Sequence, residues 1–201
     1  MRLSRLLLFV GCAMLGACAG PRATTHHAQR GFQPPNRSDR AGHAQGPWRT
    51  YYDSANTRPF TTGRYRHGRP IRTFRYYAPT GLLDHSEHYR RAGFCEVTYW
   101  HPDGRVARRG PAQWVTGRGK APRFYWYGTW TSYALDGQTT GIQNYTDGIL
   151  TRAETYAGGQ LTLAENYVAN RLTRVETYRE GKLTQVDTYE NNRVIRTTNT
   201  L

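Results

Sequence analysis

The stretch His85-Ser86-Glu87-His88 is the densest group of side chains that could bind a metal or transfer a proton. Imidazole nitrogens and a carboxylate are zinc ligands, and both also act as general bases. On a strand, successive side chains alternate between the two faces, so His85 and Glu87 share one face while His88 points away. Three ligands do not converge locally, and we predict no metal site here.

Carboxylates recur at a fixed interval in the second half of the chain, at Glu154, Glu165, Glu176 and Asp187. A catalytic pair occurs once and needs two different environments, so this recurrence indicates a structural repeat. The sequence contains no nucleophile elbow, P-loop or dinucleotide fingerprint. We therefore predict no catalytic residues and no cofactor. Cys95, flanked by Phe94 and Glu96, has no nearby cysteine partner and no obvious pairing of a histidine with an acid in the sequence, and is predicted to be a half-buried structural thiol.

The formal net charge of +14 is concentrated in the first half of the body. Residues 47–127 contain fifteen Lys and Arg against five Asp and Glu, whereas residues 128–201 contain seven against eight. Fourteen of the fifteen are arginines, which bind phosphate and carboxylate groups in a bidentate manner. A solvated basic surface is the alternative. The candidate ligand or partner surface consists of Arg64, Arg66, Arg72, Arg75, Trp126, Trp130 and Tyr133.

The first twenty residues, MRLSRLLLFVGCAMLGACAG, have the pattern of a secretory signal peptide, with an apolar run too short to span a bilayer. Leu15-Gly16-Ala17-Cys18 resembles the bacterial lipobox, and this resemblance implies cleavage before Cys18 and lipidation of its thiol. Ala19 stands where lipoproteins of the inner membrane typically carry Asp, which implies an outer-membrane lipoprotein, facing the periplasm or the surface. A soluble secreted protein cleaved after Ala17-Cys18-Ala19 is the alternative.

The residues after the lipobox contain little that could be buried, with Phe32 as the only aromatic side chain before Trp48. We predict a signal peptide at 1–17, a disordered tether at 18–46 and a β-repeat domain at 47–201 that is most regular in 128–201. The tether contains the pair His26-His27, which lacks the third ligand of a metal site.

The elements that must position these side chains follow from tyrosines spaced eleven residues apart. The five are Tyr145, Tyr156, Tyr167, Tyr178 and Tyr189, and Gly or Asn follows each by three residues. Gly and Asn tolerate positive φ, and the intervening Thr, Val, Leu and Tyr favour strands. We predict an all-β fold: an antiparallel β-meander of eleven-residue hairpin units, forming an elongated, twisted single-layer sheet.

The turn geometry decides which face each tyrosine occupies. We expect a type I turn followed by a bulge, with each tyrosine opposite the residue four positions later. In that register successive tyrosines alternate between faces. If a bulge instead shifts the register, all tyrosines line one face, and a second layer or a partner should cover it. Three longer loops with Gly, after Tyr76, Tyr99 and Tyr133, precede the regular units.

The segment from Gly128 to Gly137, GTWTSYALDG, reads as GxWxxYxxxG and resembles the bacterial MORN-repeat variant, whose members are often named YwqK-type antitoxins. The resemblance covers roughly residues 60–201 and is strongest in 128–192. The last units depart from the pattern by lacking the GxW half. The resemblance implies capture of a toxin as one function.

Two functions of different kinds are therefore expected. The first is a non-enzymatic, lipid-anchored module that binds a protein or an acidic envelope polymer, and the second is an antitoxin or immunity protein. A glycan hydrolase is a third, minor alternative. Nucleic acid is the usual partner of a basic surface, but an exported lipoprotein meets lipid phosphates and acidic polymers instead.

The lipobox generates a direct test. Replacing Cys18 with Ala removes the thiol that would carry the acyl chains, and we expect the protein to move from the membrane fraction to the soluble fraction. Detergent-free fractionation of cells producing either form measures this. Retention of the Cys18→Ala protein in the membrane fraction would contradict the anchor.

Overall fold

The computed structural model describes residues 34–115 and 121–200; Cys18, the signal peptide and His26-His27 lie outside them. The described residues form a single open antiparallel sheet, apart from one 3-10 turn at Arg91–Gly93. The strands are β1 (Arg37–Ser38), β2 (Ala44–Tyr51), β3 (Pro59–Arg66), β4 (Arg69–Pro70), β5 (Arg72–Tyr77), β6 (Leu83–Tyr89), β7 (Phe94–Trp100), β8 (Val106–Val115), β9 (Arg123–Trp126), β10 (Gly128–Tyr133), β11 (Thr139–Thr146), β12 (Ile149–Ala157), β13 (Gln160–Val168), β14 (Arg171–Arg179), β15 (Lys182–Glu190) and β16 (Arg193–Asn199).

Neighbouring strands in the sheet follow chain order, with the short strands β4 and β9 pairing on β3 and β8. The prediction of an all-β antiparallel meander is confirmed. Within the described ranges, no helix has the length and apolar character needed to cross a membrane.

The sheet begins earlier than the predicted domain start at Pro47. Strands β1 and β2 include residues assigned to the tether, so that prediction is wrong for residues 34–46. The cause is side-chain bonding to backbone rather than apolar burial. The Asn36 amide accepts from the Arg49 N–H and donates to its carbonyl, both at 2.8 Å, and Asp39 accepts from the N–H groups of Ala41 and His43.

The regular hairpins turn on two residues, not on the predicted three. Asp147 and Gly148 have φ of 49° and 80°, and the next four turns also place both central residues at positive φ. Two such residues define a type I′ turn, whose twist matches that of the flanking strands. The three-residue turn predicted for the regular hairpins occurs instead in the longer loops, for example where the Gly81 N–H donates to the Ala78 carbonyl.

A one-residue bulge follows every regular turn. Tyr145 lies opposite Leu150, Asn144 lies opposite Arg152, and Thr151 between them has no opposing residue. The Thr151 hydroxyl donates to the Asn144 carbonyl at 3.0 Å, and Thr162, Thr173 and Thr184 make the equivalent bond in their units. This bond explains why Thr follows Leu in the first four of the five units, the fifth having Val194-Ile195 instead.

The bulge makes the tyrosines alternate between faces. With a two-residue turn, a continuous eleven-residue unit would return each tyrosine to the same face. The extra residue reverses the pleat, so Tyr156 points opposite to Tyr145. The expectation that a bulge would align all tyrosines is therefore wrong, because the turn is one residue shorter than assumed.

The buried core lies on one side of the first half of the sheet, which we call the front face. Phe74, Glu87, Val97 and Gly110 are opposed in sequence across β5 to β8. Phe74, Val97 and Trp130 are at most 2 % exposed without a second layer over them. Rings instead cover glycines: a Cβ on Gly63 would lie 2.3 Å from Phe74, and one on Gly110 would lie 2.3 Å from Trp130. The opposite side is the back face.

The contact between Trp130 and Gly110 should be essential for stability. A methyl group at Gly110 must displace the indole, so we expect Gly110→Ala to lower the free energy of unfolding by about 1–3 kcal/mol. Gly141→Ala is the matched control, since its Cβ would meet nothing closer than 3.3 Å and its φ is not positive. Urea unfolding followed by tryptophan fluorescence measures both. Equal stability of the two variants would contradict the ring-over-glycine packing.

Candidate ligand-binding surface

Four arginines line one groove near the start of the sheet; the register places Arg49, Arg64 and Arg75 on the back face, while Arg72, at a positive φ of 61°, lies opposite the front-face residue Tyr89. They are Arg49 on β2, Arg64 on β3, and Arg72 and Arg75 on β5. Arg49 and Arg75 both lie opposite Thr62, on its two sides. Pro47, Thr62 and Thr73 also line this arginine groove. Short side chains between long cationic ones leave the groove open to a ligand.

The groove arginines have no acidic partner among residues 34–115 and 121–200. Ion pairs with carboxylates there involve Arg58, Arg90, Arg105, Arg152 and Arg174. Arg49, Arg72 and Arg75 are exposed, and Arg64 is half-buried. Four arginines that line one groove without a carboxylate partner favour an anionic ligand.

Two arginines of the regular half are neutralised instead. Arg152 Nε lies 2.7 Å from Glu154, and Arg174 Nε lies 2.8 Å from Glu176. A second nitrogen of Arg152 lies 3.7 Å from Glu176, so the pairs join into one network. Arg171, Arg179, Arg193 and Arg196 have no carboxylate partner among the described residues, but residues 128–201 contain seven basic against eight acidic residues, so the excess positive charge lies in the first half of the sheet.

The structure divides the predicted surface between two faces. Arg64, Arg72 and Arg75 come together in the groove, while Arg66 lies at the hairpin end of β3, opposite Arg69. Tyr133 is on the back face, with its ring 5.8 Å from Cζ of Arg109. Trp126 and Trp130 pack on the front face. Trp130 is 0 % exposed and therefore offers no surface to a ligand.

Arg49 was missed by the sequence analysis, although a signal for it exists. The pairs Trp48-Arg49 and Phe74-Arg75 each place an arginine beside an aromatic residue of the front face. Because side chains alternate along a strand, an arginine that follows such a residue must point to the back face. The two arginines therefore share a face.

Arg108, an arginine on the front face, is held by aromatic rings and by hydrogen-bond acceptors. Cζ of Arg108 lies 4.5 Å and 4.9 Å from the ring centroids of Trp126 and Trp130, which stack on each other at 4.2 Å. Its guanidinium also donates to the Gln143 amide oxygen and to the Tyr145 hydroxyl. Contact with two ring faces and two acceptors makes Arg108 part of the packing.

Glu87 is a buried carboxylate in the front-face core, with 6 % exposure. Tyr76 and Tyr89 donate their hydroxyls to its Oε2 at 3.0 and 2.7 Å. His85 stacks on Tyr76 and places Nε2 4.0 Å from the other carboxylate oxygen. His88 lies opposite Glu96 and contacts Thr73, so it points away from this group as predicted. No cluster of three metal-ligating side chains occurs in the described ranges.

Burial shifts the titration of the groups around Glu87. Desolvation and the Glu87 charge raise the pKa of Tyr76 and of Tyr89 far above its usual range. The same two causes raise the pKa of the Cys95 thiol to about 12, and Cys95 is 3 % exposed. These groups stay protonated at neutral pH, which fits a structural role for the cluster.

No protein-family model matches the chain, and a search of the curated proteins finds no significant relative. The resemblance of residues 128–137 to the MORN-repeat variant therefore stays a prediction.

The Cys95 environment predicts low reactivity. At pH 8 we expect iodoacetamide to leave the native Cys95 peptide unmodified and to label it in urea, as measured by mass spectrometry of that peptide. The control is Phe94→Cys in a Cys95→Ala background, because position 94 is 39 % exposed and should react at once. Since the folded pKa is raised, the unfolded chain loses this proton first. Stability should fall as pH rises toward about 12. Equal labelling of positions 94 and 95 would contradict this environment.

Proposed function

We propose that this chain is a non-enzymatic outer-membrane lipoprotein, anchored at Cys18, whose β-repeat sheet binds an acidic polymer of the cell envelope. The arginine groove is the binding site. The predicted signal peptide and lipobox support the location in the outer membrane, and the arginines of the groove support the binding of an acidic polymer.

The observation that supports binding is the convergence of Arg49, Arg64, Arg72 and Arg75 without a described carboxylate partner. Holding like charges together costs electrostatic free energy, which an anionic ligand repays when it binds. Guanidinium groups suit carboxylate, sulfate and phosphate because each presents two parallel N–H donors.

The regular half has a different role in this proposal. Strands β11 to β16 carry no charge excess, and Arg152 and Arg174 are paired with glutamates. This half extends the sheet by neighbour contacts alone, as other linear repeats do. It acts as a scaffold that displays the basic half.

A binding role is favoured over catalysis by the state of the available acids. Glu87 is enclosed by two tyrosine hydroxyls, and Glu154 and Glu176 are held in ion pairs. General acid–base chemistry needs a carboxyl group that reaches the substrate with a suitable pKa. The groove itself is lined by arginines and small polar side chains.

A charge-matched pair of variants tests the groove. Arg64→Gln with Arg75→Gln should weaken binding of the mature protein to polygalacturonate and to dextran sulfate about tenfold, because each exposed ionic contact contributes on the order of 0.5–1 kcal/mol. Arg171→Gln with Arg179→Gln removes the same charge from the regular half and should have little effect. Affinity is measured at low and high salt, since ionic binding weakens with salt.

Two results would contradict the groove as the binding site. One is equal weakening in both double variants, which would indicate a response to net charge alone. The other is binding that does not change with salt, which would exclude an arginine-led contact.

A further inference from the structure

The arginine groove is one end of a longer line of polar side chains on the back face. The register of the sheet opposes these residues in sequence across β2, β3, β5, β6, β7, β8 and β10: Arg49, Thr62, Arg75, Ser86, Thr98, Arg109 and Thr131. Each step in this line is a direct cross-strand pair, so the seven side chains share one face. We call this line the arginine track.

In the arginine track, the arginine side chains are more exposed than the side chains that carry hydroxyl groups. Arg49, Arg75 and Arg109 are exposed, whereas Thr62, Ser86, Thr98 and Thr131 are half-buried. Strands lie about 4.8 Å apart, so Arg49 and Arg75 are about 10 Å apart along the sheet, and Arg109 is about 14 Å beyond Arg75. The full track is about 29 Å long. One small anion cannot span it, but an extended polymer can.

The end of the track at β10 is set by the sequence. After Thr131, the next two opposed residues are Ile142 and Glu154. Glu154 carries the opposite charge and is already paired with Arg152. A polyanion following the track therefore meets an apolar side chain and then a carboxylate. The favourable contact ends at β10, which gives the ligand a finite contact length.

The side chains between the arginines indicate the chemistry of the ligand. Thr and Ser hydroxyls both donate and accept hydrogen bonds. In the adjacent line, exposed Glu96 lies opposite His88 and is paired with Arg90 at 3.7 Å. A polyphosphate offers acceptors only and would leave the acceptor sites of the Thr and Ser hydroxyls unused. A polymer with both hydroxyl and acidic groups can use all of these partners.

Aromatic side chains flank the track as well. Trp100 donates its indole N–H to the Ser86 hydroxyl at 3.3 Å, which places its ring beside the track. Tyr133 lies beside Arg109 at the other end. Aromatic rings next to polar groups form amphipathic surfaces that pack against sugar rings.

We propose that an acidic polysaccharide lies along the arginine track, perpendicular to the strands, with its acidic groups on Arg49, Arg75 and Arg109. This rests on the proposed function and extends it, since it assigns the polymer class, the direction of the chain and the length of the contact. Arg109 is the residue that separates a track from a local groove.

Oligogalacturonates of graded length test the track on the full mature protein by isothermal titration calorimetry. We expect affinity to rise from the disaccharide to a length that reaches β10 and then to level off. Arg109→Gln should weaken binding of the dodecasaccharide about three- to fivefold and leave the disaccharide unchanged, because an exposed ionic contact contributes modestly. The control is Arg91→Gln, which removes an exposed charge from the 3-10 turn of the same half and should change neither.

The outcomes separate the track from the groove. If Arg64→Gln with Arg75→Gln weakens binding but Arg109→Gln does not, the groove stands and the track is overturned. Equal weakening by Arg109→Gln and Arg91→Gln also overturns it. Tighter binding of a polyphosphate of comparable length would overturn the assignment to a polysaccharide. If no variant weakens binding, the proposed function itself is overturned.

Discussion

Apolar side chains in a sheet without a covering layer must be buried against the sheet itself. Here the rings of Phe74 and Trp130 lie across Gly63 and Gly110 on neighbouring strands, where a Cβ atom would occupy the space of the ring. The Phe74 ring also makes an edge contact with Tyr65, and the Trp130 ring stacks on Trp126. The front face is therefore occupied by this packing. Because side chains alternate, the intervening positions must point to the back face, and there the arginines collect.

The second constraint is the bulge that accompanies the hairpins. It occurs beside the long loops as well as beside the two-residue turns, for example where Tyr77 opposes Leu83 and Tyr76 opposes His85. It leaves Asp84 as the extra residue, within 2.6 Å of His85. In the regular half a Thr hydroxyl satisfies the carbonyl that the bulge leaves free. The same backbone device thus holds a histidine in the core and fixes the faces of the tyrosines.

Residues with a strong local preference for one backbone conformation predicted the turns and strands well. Gly148 and Asn170 were expected at positive φ, and both have it. The strands between them were expected from Thr, Val and Tyr. The turn type was wrong although Asp147-Gly148 is a dipeptide typical of a type I′ turn, whereas Ala169 gave no signal that it would adopt positive φ. Here the twist of the paired strands overrides the preference of the residue.

Placing the candidate site required information that is not local. Arg64, Arg72 and Arg75 were correctly grouped, because they are close in sequence. Trp126 and Trp130 were grouped with them only by composition, and their face depends on the kink at Gly128 and on the bulges before it. The order of residues along the arginine track could not be read from the sequence, since each step joins two different strands.

The alternation of faces also bears on how such a chain can change in length during evolution. Duplicating one eleven-residue unit moves every later residue to the opposite face. In the regular half this exchange is nearly silent, because each unit carries similar residues and either face tolerates them. In the basic half the same event would turn Phe74 and Trp130 outward and bring Arg75 and Arg109 onto the packed side. The regular half can therefore lengthen by one unit at a time during evolution, whereas the basic half must keep its number of strands.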